Sequence, residues 1–269
     1  MTHGVESIRE GRLPLSNRLL KEVHALLLED GRGGDTSRGE FRRTQSLLGG
    51  TRPGNARFVP PPWPMVAPAM SDLEKFLHDE PVPTPVLVKA ALAHAQFETI
   101  HPFLDGNGRV GRLLITLLLY ADGVLSRPLL YLSLYLKRHR ETYYERLQRV
   151  RTDGAWEEWL DFFLEGVVEV ARSVTDTTRD IVAMLERDRE RIHDLGRGAA
   201  TALRIHDLAA RVIVFRPAGA AEALNLSDPP VYAAIRRLEE LEILREITGR
   251  RRGRLYAYTE YLSRLNEGT

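Results

Sequence analysis

His101-Pro102-Phe103-Leu104-Asp105-Gly106-Asn107-Gly108-Arg109-Val110-Gly111-Arg112 puts a histidine, a carboxylate, an asparagine between two glycines and two arginines into one short segment. Upstream, Leu87, Ala90, Ala91, His94 and Phe97 recur at helical spacing. Downstream, Leu113 to Tyr120 is almost unbroken aliphatic sequence. The pattern reads as helix, polar loop, buried helix. The loop then delivers its polar groups to the start of the second helix.

Each residue type in the loop suits one task. A helix start offers unpaired N–H groups and a partial positive charge, so it receives anions. Gly106-Asn107-Gly108 allows a tight turn and close backbone approach, and successive N–H groups in such a turn form an anion nest. Arg109 and Arg112 are three apart and share a helix face, which suits a polyphosphate. Asp105 is a hard oxygen donor, and one carboxylate plus phosphate oxygens is a usual way to hold Mg²⁺. His101 is the side chain here that can act as a base near neutral pH. Taken singly these features are bland: Asp-Gly-Asn-Gly is a turn signal, and an arginine pair is usually a solvated face. The whole set in this order describes a nucleoside-triphosphate site with a base beside it.

The signature His-x-Phe-x-(Asp/Glu)-Gly-Asn-Gly-Arg-x-x-Arg is complete here, and in it the chain resembles the Fic family over roughly its first two thirds. The resemblance implies a mainly α fold: a helical core with a small β-hairpin flap, followed by a small winged helix-turn-helix domain. It implies a protein adenylyltransferase that moves AMP from ATP to a Ser, Thr or Tyr hydroxyl and releases pyrophosphate. Carried over by position, His101 would deprotonate the target hydroxyl and Phe103 would anchor the loop. Asp105 would hold Mg²⁺ against the α- and β-phosphates. Gly106, Asn107 and Gly108 would cradle phosphates, with Asn107 also on the α-phosphate oxygen. Arg109 and Arg112 would grip the β- and γ-phosphates. In the family a hairpin overhangs the site and pairs with an extended stretch of the target protein. Leu48, Gly49, Gly50 and Thr51 would then lie nearest the nucleotide, and Tyr143-Tyr144 resembles a pair that lies near adenine and ribose. Core packing is the competing reading of the two tyrosines.

Composition sets outer bounds. The chain has 269 residues, 43% hydrophobic, with a net charge of +1 and no cysteine. Disulfides and cysteine metal sites are excluded, and bulk charge points to neither nucleic acid nor membrane. Leu113 to Ala121 is far short of the ~20 residues a membrane span needs, and the first residues lack the pattern of a signal peptide. A cytoplasmic protein without membrane attachment is expected.

The elements in order are expected as follows. Helices cover 5–29, with Ser16 as a cap and His24 as a packing residue. Gly31 to Gly39 is loop. Phe41 to Leu48 and Ala56 to Val59 are two strands of a hairpin, making the flap about 41–59. Met70 to His78 is a helix, and Thr84-Pro85 starts the helix before the motif, with Thr84 as its cap. Leu129 to Leu136 alternates like a strand but is read as helix, with Ser133 as cap, followed by a helix from Lys137 to Val150. Two further helices cover Ala155–Arg172 and Val174–Ile192. The catalytic domain is placed at 1–195, with Leu195-Gly196-Arg197-Gly198 as linker.

Residues 196–269 form the second domain. Helices at Leu203–Val214, Ala218–Leu224 and Val231–Leu241 precede strands at Ile243–Thr248 and Leu255–Thr259, joined by the basic tip Gly249 to Arg254. That order resembles a winged helix-turn-helix. From residue 199 on there are eleven arginines against nine carboxylates, a net of +2, and Glu239 and Glu240 end the second helix of the motif. Protein–protein contact or homodimerisation is therefore favoured over DNA. Many Fic proteins carry an inhibitory helix, (Ser/Thr)-x-x-x-Glu-(Gly/Asn), whose glutamate takes the second motif arginine. Thr2 to Glu6 has its first five positions, but Ser7 breaks the match and it is read as coincidence. An inhibitory partner in trans, or a missing inhibitory helix, is expected instead. Two competing functions are a Fic enzyme with another donor or with AMP-removing activity, and a DNA-binding regulator that uses the core as a nucleotide sensor.

Overall fold

Two helices decide the architecture. The first is apolar nearly all round, and Ala90, Ala91, Ala93 and Ala95 are buried along it. A helix that is apolar on every face belongs at a centre, and small residues let neighbours approach closely. Its partner carries Val110, Leu114, Ile115, Leu117, Leu118 and Leu119, all buried. The computed structural model describes residues 2–29, 37–125 and 132–267. Its contacts divide the chain into two compact units, Met1–Val170 and Ala171–Thr269.

In the first unit, α1 is Thr2–Arg9, α2 Asn17–Leu27, α3 Val66–Leu77, α4 Val86–Ile100 and α5 Asn107–Ala121. Then come α6 Leu132–Arg138, α7 Arg140–Asp153 and the start of α8, Trp156–His193, inside which the division of units falls. The central pair is α4 and α5, with α3 also against α4 and α1 and α2 against α5. Trp159 closes the core: it is fully buried, and its Nε1 donates to the Ala91 carbonyl at 2.9 Å.

Several expectations are corrected here. The two strands of the hairpin flap do not form; only the bridge Leu48–Phe58 pairs, with a 3-10 turn at Pro53–Asn55. The reason is competition for hydrogen bonds. Arg42 N–H donates to the Pro102 carbonyl, its guanidinium takes the Thr44 and Pro61 carbonyls, and Pro60, Pro61 and Pro62 have no N–H to give. Thr84 does not cap α4; its hydroxyl bonds the Val82 carbonyl and Pro85 occupies the cap position. Ser16 does cap α2, accepting from Leu19 N–H. Ser133 lies inside α6 rather than before it. The two helices expected at 155–172 and 174–192 are one, α8. It contains no proline, and its one glycine, Gly166, lies where a Cβ would strike the Tyr135 ring. The proposed loop at 31–39 falls outside the described residues up to 36, as does the 129–131 part of the helix read at 129–136.

The second unit adds α9 (Ala199–Val212), β1 (Val214–Phe215), α10 (Pro217–Leu224), α11 (Asp228–Glu240), β2 (Arg245–Glu246), β3 (Tyr256–Ala257) and α12 (Thr259–Glu267). The sheet is antiparallel in the order β1-β3-β2, with Val214 and Arg245 both opposite Ala257. The strands expected at 243–248 and 255–259 are trimmed to two residues each, and β1 is too short to show a period. Ala202, Ile205, Val231, Ile235 and Leu238 fill the core between α9 and α11. Buried Asp188 accepts from Tyr258 Oη at 2.6 Å, which ties the later part of α8 to the end of β3. No described helix is long and apolar enough to cross a membrane.

Candidate active site

His101 ends α4 in a left-handed conformation, φ 50°, with its N–H on the Phe97 carbonyl at 2.9 Å. Pro102 follows and prevents continuation of the helix. The carbonyls at this helix end are taken by two arginines. Arg42, 2% exposed, donates Nε to His101 O at 2.9 Å and Nη2 to Ile100 O at 3.3 Å. Arg151 donates Nη2 to Glu98 O at 3.0 Å and Nε to Thr99 Oγ1 at 3.2 Å, and its guanidinium lies 4.0 Å over the Phe58 ring of the flap. Cations at a helix C-terminus oppose its partial negative charge. Burial, helped by Arg151 and Arg42, pushes the His101 imidazole down to about 4, against the opposing pull of the Glu98 carbonyl. The ring is therefore neutral at pH 7 and free to accept a proton.

The loop after it is stapled by Asn107. Its Oδ1 accepts from Phe103 N–H at 2.9 Å and its Nδ2 donates to Phe103 O at 2.8 Å, both buried. Both atoms of the amide thus bond the backbone of the loop. Gly106, φ 78°, precedes α5 in the left-handed region that glycine permits. Asp105 Oδ1 accepts from Gly106 N–H at 2.6 Å, while Oδ2 stands 3.5 Å from Arg109 Nη2 and the side chain is mostly exposed. Arg112 folds back along α5, so a Cβ on Gly108 would come 3.1 Å from its Nη1. His101, Asp105, Gly106, Gly108, Arg109 and Arg112 thus border one turn between two helix ends.

His24 is more than packing. It stacks on Phe103, 3.8 Å between centroids and 7° between planes. Its Nδ1 accepts from Gly39 N–H at 2.9 Å, which leaves Nε2 to donate to Asp105 O at 3.0 Å. One ring holds the Asp105 edge of the loop against α2. Tyr143 is buried, and its hydroxyl lies 3.0 Å from His94 Nε2, while His94 Nδ1 lies 2.9 Å from Gly111 O. Tyr143 thus packs in the core, and it also lines the smaller of two cavities beside Tyr144. Tyr144 is 42% exposed and lines two cavities. One, of about 720 Å³, also has Arg57 and Gln148; the other, of about 310 Å³, also has Arg112, Lys137 and Arg140. At the flap tip Leu48 is half-buried in the bridge to Phe58, and Gly49 and Thr51 are exposed. A Cβ on Gly50 would strike Asn55 O at 2.5 Å. Of the flap, it is Arg57 rather than these tip residues that reaches the Tyr144 cavity.

Sequence reasoning missed Arg42, Arg151 and Glu98. The first two act on backbone carbonyls, which leave no trace in a pattern of side chains. Glu98 had a signal: a carboxylate one turn after His94, on the face that Leu87, Ala91 and His94 turn inward. Helix α1 lies elsewhere. A Cβ on Gly4 would touch Leu117 at 3.0 Å, and Leu117 is about 140° round α5 from Arg112.

Residues 14–119 match the profile of the Fic/DOC family. The protein adenylyltransferase Fic of Aedes aegypti is 33% identical over 183 residues, which cover 62% of this chain and 34% of that protein. A probable protein adenylyltransferase of Aquifex aeolicus is 34% identical over 101 residues, 38% of this chain and 30% of that protein. The chain thus spans about a third of the length of these curated relatives. A crystal structure of a Fic family protein from Desulfovibrio desulfuricans covers 96% of this chain and 72% of its own, with a TM-score of 0.55 at 24% identity, a likeness of fold.

Proposed function

We propose that this chain, which carries a Fic/DOC-family domain over residues 14–119, transfers AMP from ATP to a hydroxyl of a target protein. The observation that carries the reading is a neutral imidazole, His101, held at the end of α4 beside the open N-terminus of α5. His101 takes the proton of a Ser, Thr or Tyr hydroxyl. The oxygen attacks the α-phosphorus, the bond to the bridging oxygen breaks, and pyrophosphate leaves. Gly106 shapes the turn, and the N–H groups of Asn107 and Gly108 with the guanidiniums of Arg109 and Arg112 hold the phosphates and oppose the charge that develops. Such chemistry needs positioning and neutralisation more than covalent help from the protein.

Asp105 fits a Mg²⁺ ion: it is one exposed carboxylate at the loop edge, and such ions take one or two carboxylates and complete their shell with phosphates and water. Among the described residues no group of three or more His, Cys, Asp or Glu side chains could hold a metal ion, so Asp105 would act with phosphate and water oxygens. When bound, it would neutralise charge on the α- and β-phosphates.

The Tyr144 cavity beside Arg57 and Gln148 is the space we assign to the base. We assign the flap to an extended stretch of the target, 196–269 to a winged helix-turn-helix, and the whole to the cytoplasm. The second unit supports protein contact better than DNA, since Glu239, Glu240 and Glu242 crowd the end of α11. Incubation with labelled ATP, Mg²⁺ and lysate, read by intact mass, tests the reaction. His101→Ala should lower transfer by at least about 10³-fold and leave ATP binding within about twofold. Equal transfer by the variant would remove His101 as the base.

A further inference from the structure

Glu98 is a buried carboxyl that the reaction above leaves without a task. It is 7% exposed, and its Oε1 has no hydrogen-bond partner. It points at the start of α5: a Cβ on Gly111 would come 2.7 Å from Oε1, and one on Gly108 would come 3.8 Å from it. That same Gly108 position lies 3.1 Å from Arg112 Nη1. The carboxyl and the guanidinium therefore share the turn of α5 that would receive phosphate. Leaving a carboxylate oxygen buried and unpaired is costly, so the arrangement asks for a compensating role.

The groups that face Glu98 come from three helices. On α4 these are His94, whose Cε1 also approaches Gly111, and His101, which its carbonyl influences. On α5 it is Arg112, and on α7 they are Arg151 and Tyr143. Both histidines are neutral, each pushed down to about 4 chiefly by burial. Burial pushes the Glu98 carboxyl up to about 7, while Arg112 and Arg151 pull it back. Near neutral pH it is poised between its two forms.

We propose that Glu98 is the internal counter-ion of Arg112, and that it takes up a proton when a polyphosphate binds at the start of α5. An ionised Glu98 shares the charge of Arg112. An arriving phosphate brings like charge toward the carboxylate and claims the guanidinium, and both effects favour the protonated acid. The proton comes from solvent, and the O–H bond formed on the carboxyl is the only covalent change. By linkage, nucleotide binds more tightly as pH falls. The proposal rests on the nucleotide reading above and deepens it, because the enzyme then senses pH through its phosphate grip.

The test is calorimetric titration of the full chain with Mg²⁺ and α,β-methylene-ATP, which cannot donate AMP. It is run in buffers of low and high ionisation enthalpy, with wild type and Glu98→Gln in parallel. The titration of the analogue itself cancels in the difference. For a tenfold rise in the proton affinity of the carboxyl, wild type takes up about 0.4 proton more than the variant at pH 7. Its affinity also tightens about fivefold more than that of the variant between pH 8 and pH 6. Equal uptake and equal pH slopes in the two proteins overturn the proposal. Absence of binding by wild type overturns the nucleotide reading beneath it, and so is told apart from failure of the coupling. Should Glu98→Gln not fold, the ¹³C-carboxyl titration of Glu98 in wild type decides. Its midpoint should rise by about one pH unit on addition of the analogue, and an unmoved midpoint refutes the coupling.

Discussion

The two helix ends that meet at the motif are built on opposite plans. At the end of α4 the carbonyls of Glu98, Ile100 and His101 are bonded by Arg151 and Arg42. At the start of α5 the first N–H groups have no intrahelical partner, and Gly106 supplies no side-chain cap. One end is closed by protein; the other is left for a ligand. The difference separates what must stay fixed from what must be available. In the proposed reaction the base is on the closed end, and the groups proposed to bind anion are on the open one.

The largest effect should come from opening the closed end. Arg42 makes four side-chain hydrogen bonds to carbonyls, from Thr44 and Pro61 on the flap arms to Ile100 and His101. Arg42→Ala leaves the Ile100 carbonyl buried and unpaired and strips a partner from the partly buried carbonyls of Thr44, Pro61 and His101. A loss of about 3 kcal/mol is expected, read as a lower midpoint in urea. Arg42→Lys, with fewer donors and no planar fork, should recover only part of it. A loss under about 1 kcal/mol would mean that water replaces the clamp, and the two helix ends would differ less than they appear to.

The next effect concerns protons on either side of the turn. His94 and His101 are held near 4 against an ordinary value of 6.5, so both lie uncharged in the fold. Their contribution is complete above pH 6.5 and is lost as pH falls toward 4. Glu98 is held near 7 against an ordinary 4.5, so its contribution is complete below pH 4.5 and is lost as pH rises through 7. Between pH 4.5 and 6.5 the unfolded chain binds the two histidine protons and the native chain binds the Glu98 proton. Stability therefore rises with pH, and Glu98 blunts the slope. Glu98→Gln should steepen it by up to about 1.4 kcal/mol per pH unit, measured as urea midpoints across that window. An unchanged slope would place Glu98 outside the balance.

Much of this contrast was legible in the sequence, and the rest was hidden for physical reasons. The glycines, the arginines and His101 stand in one run, and the helices on each side declare themselves by period. The open helix end can therefore be read from residues 101–112 alone. The closed end cannot. Arg42 is about sixty residues away in the chain, and its partners are carbonyls that every residue possesses. The flap failed as a pair of strands for the same reason, because its hydrogen bonds go to Arg42 and to the turn rather than across a ladder. The break expected between Arg172 and Val174 is absent. Thr175 and Thr178 instead bond back to the carbonyls of Ala171 and Val174, both at 2.7 Å, and the helix continues.

The smallest effects lie at helix starts outside the site, and they test whether a cap counts by residue type or by geometry. Ser16 and Thr84 look alike in sequence, each a hydroxyl before a helix. Ser16 Oγ accepts from Leu19 N–H at 3.4 Å, and the residue is buried at the head of α2. Thr84 Oγ1 instead donates to Val82 O at 3.3 Å and leaves the start of α4 to Pro85. Ser16→Ala should cost about 1 kcal/mol, while Thr84→Ala should stay within about 0.5 kcal/mol of wild type, compared by thermal midpoint. Equal losses would mean that the hydroxyl of Thr84 reaches the helix in solution. Both α4 and α5 would then differ from α2 in degree only, and the open start of α5 would owe less to the motif than to where this core places its helices.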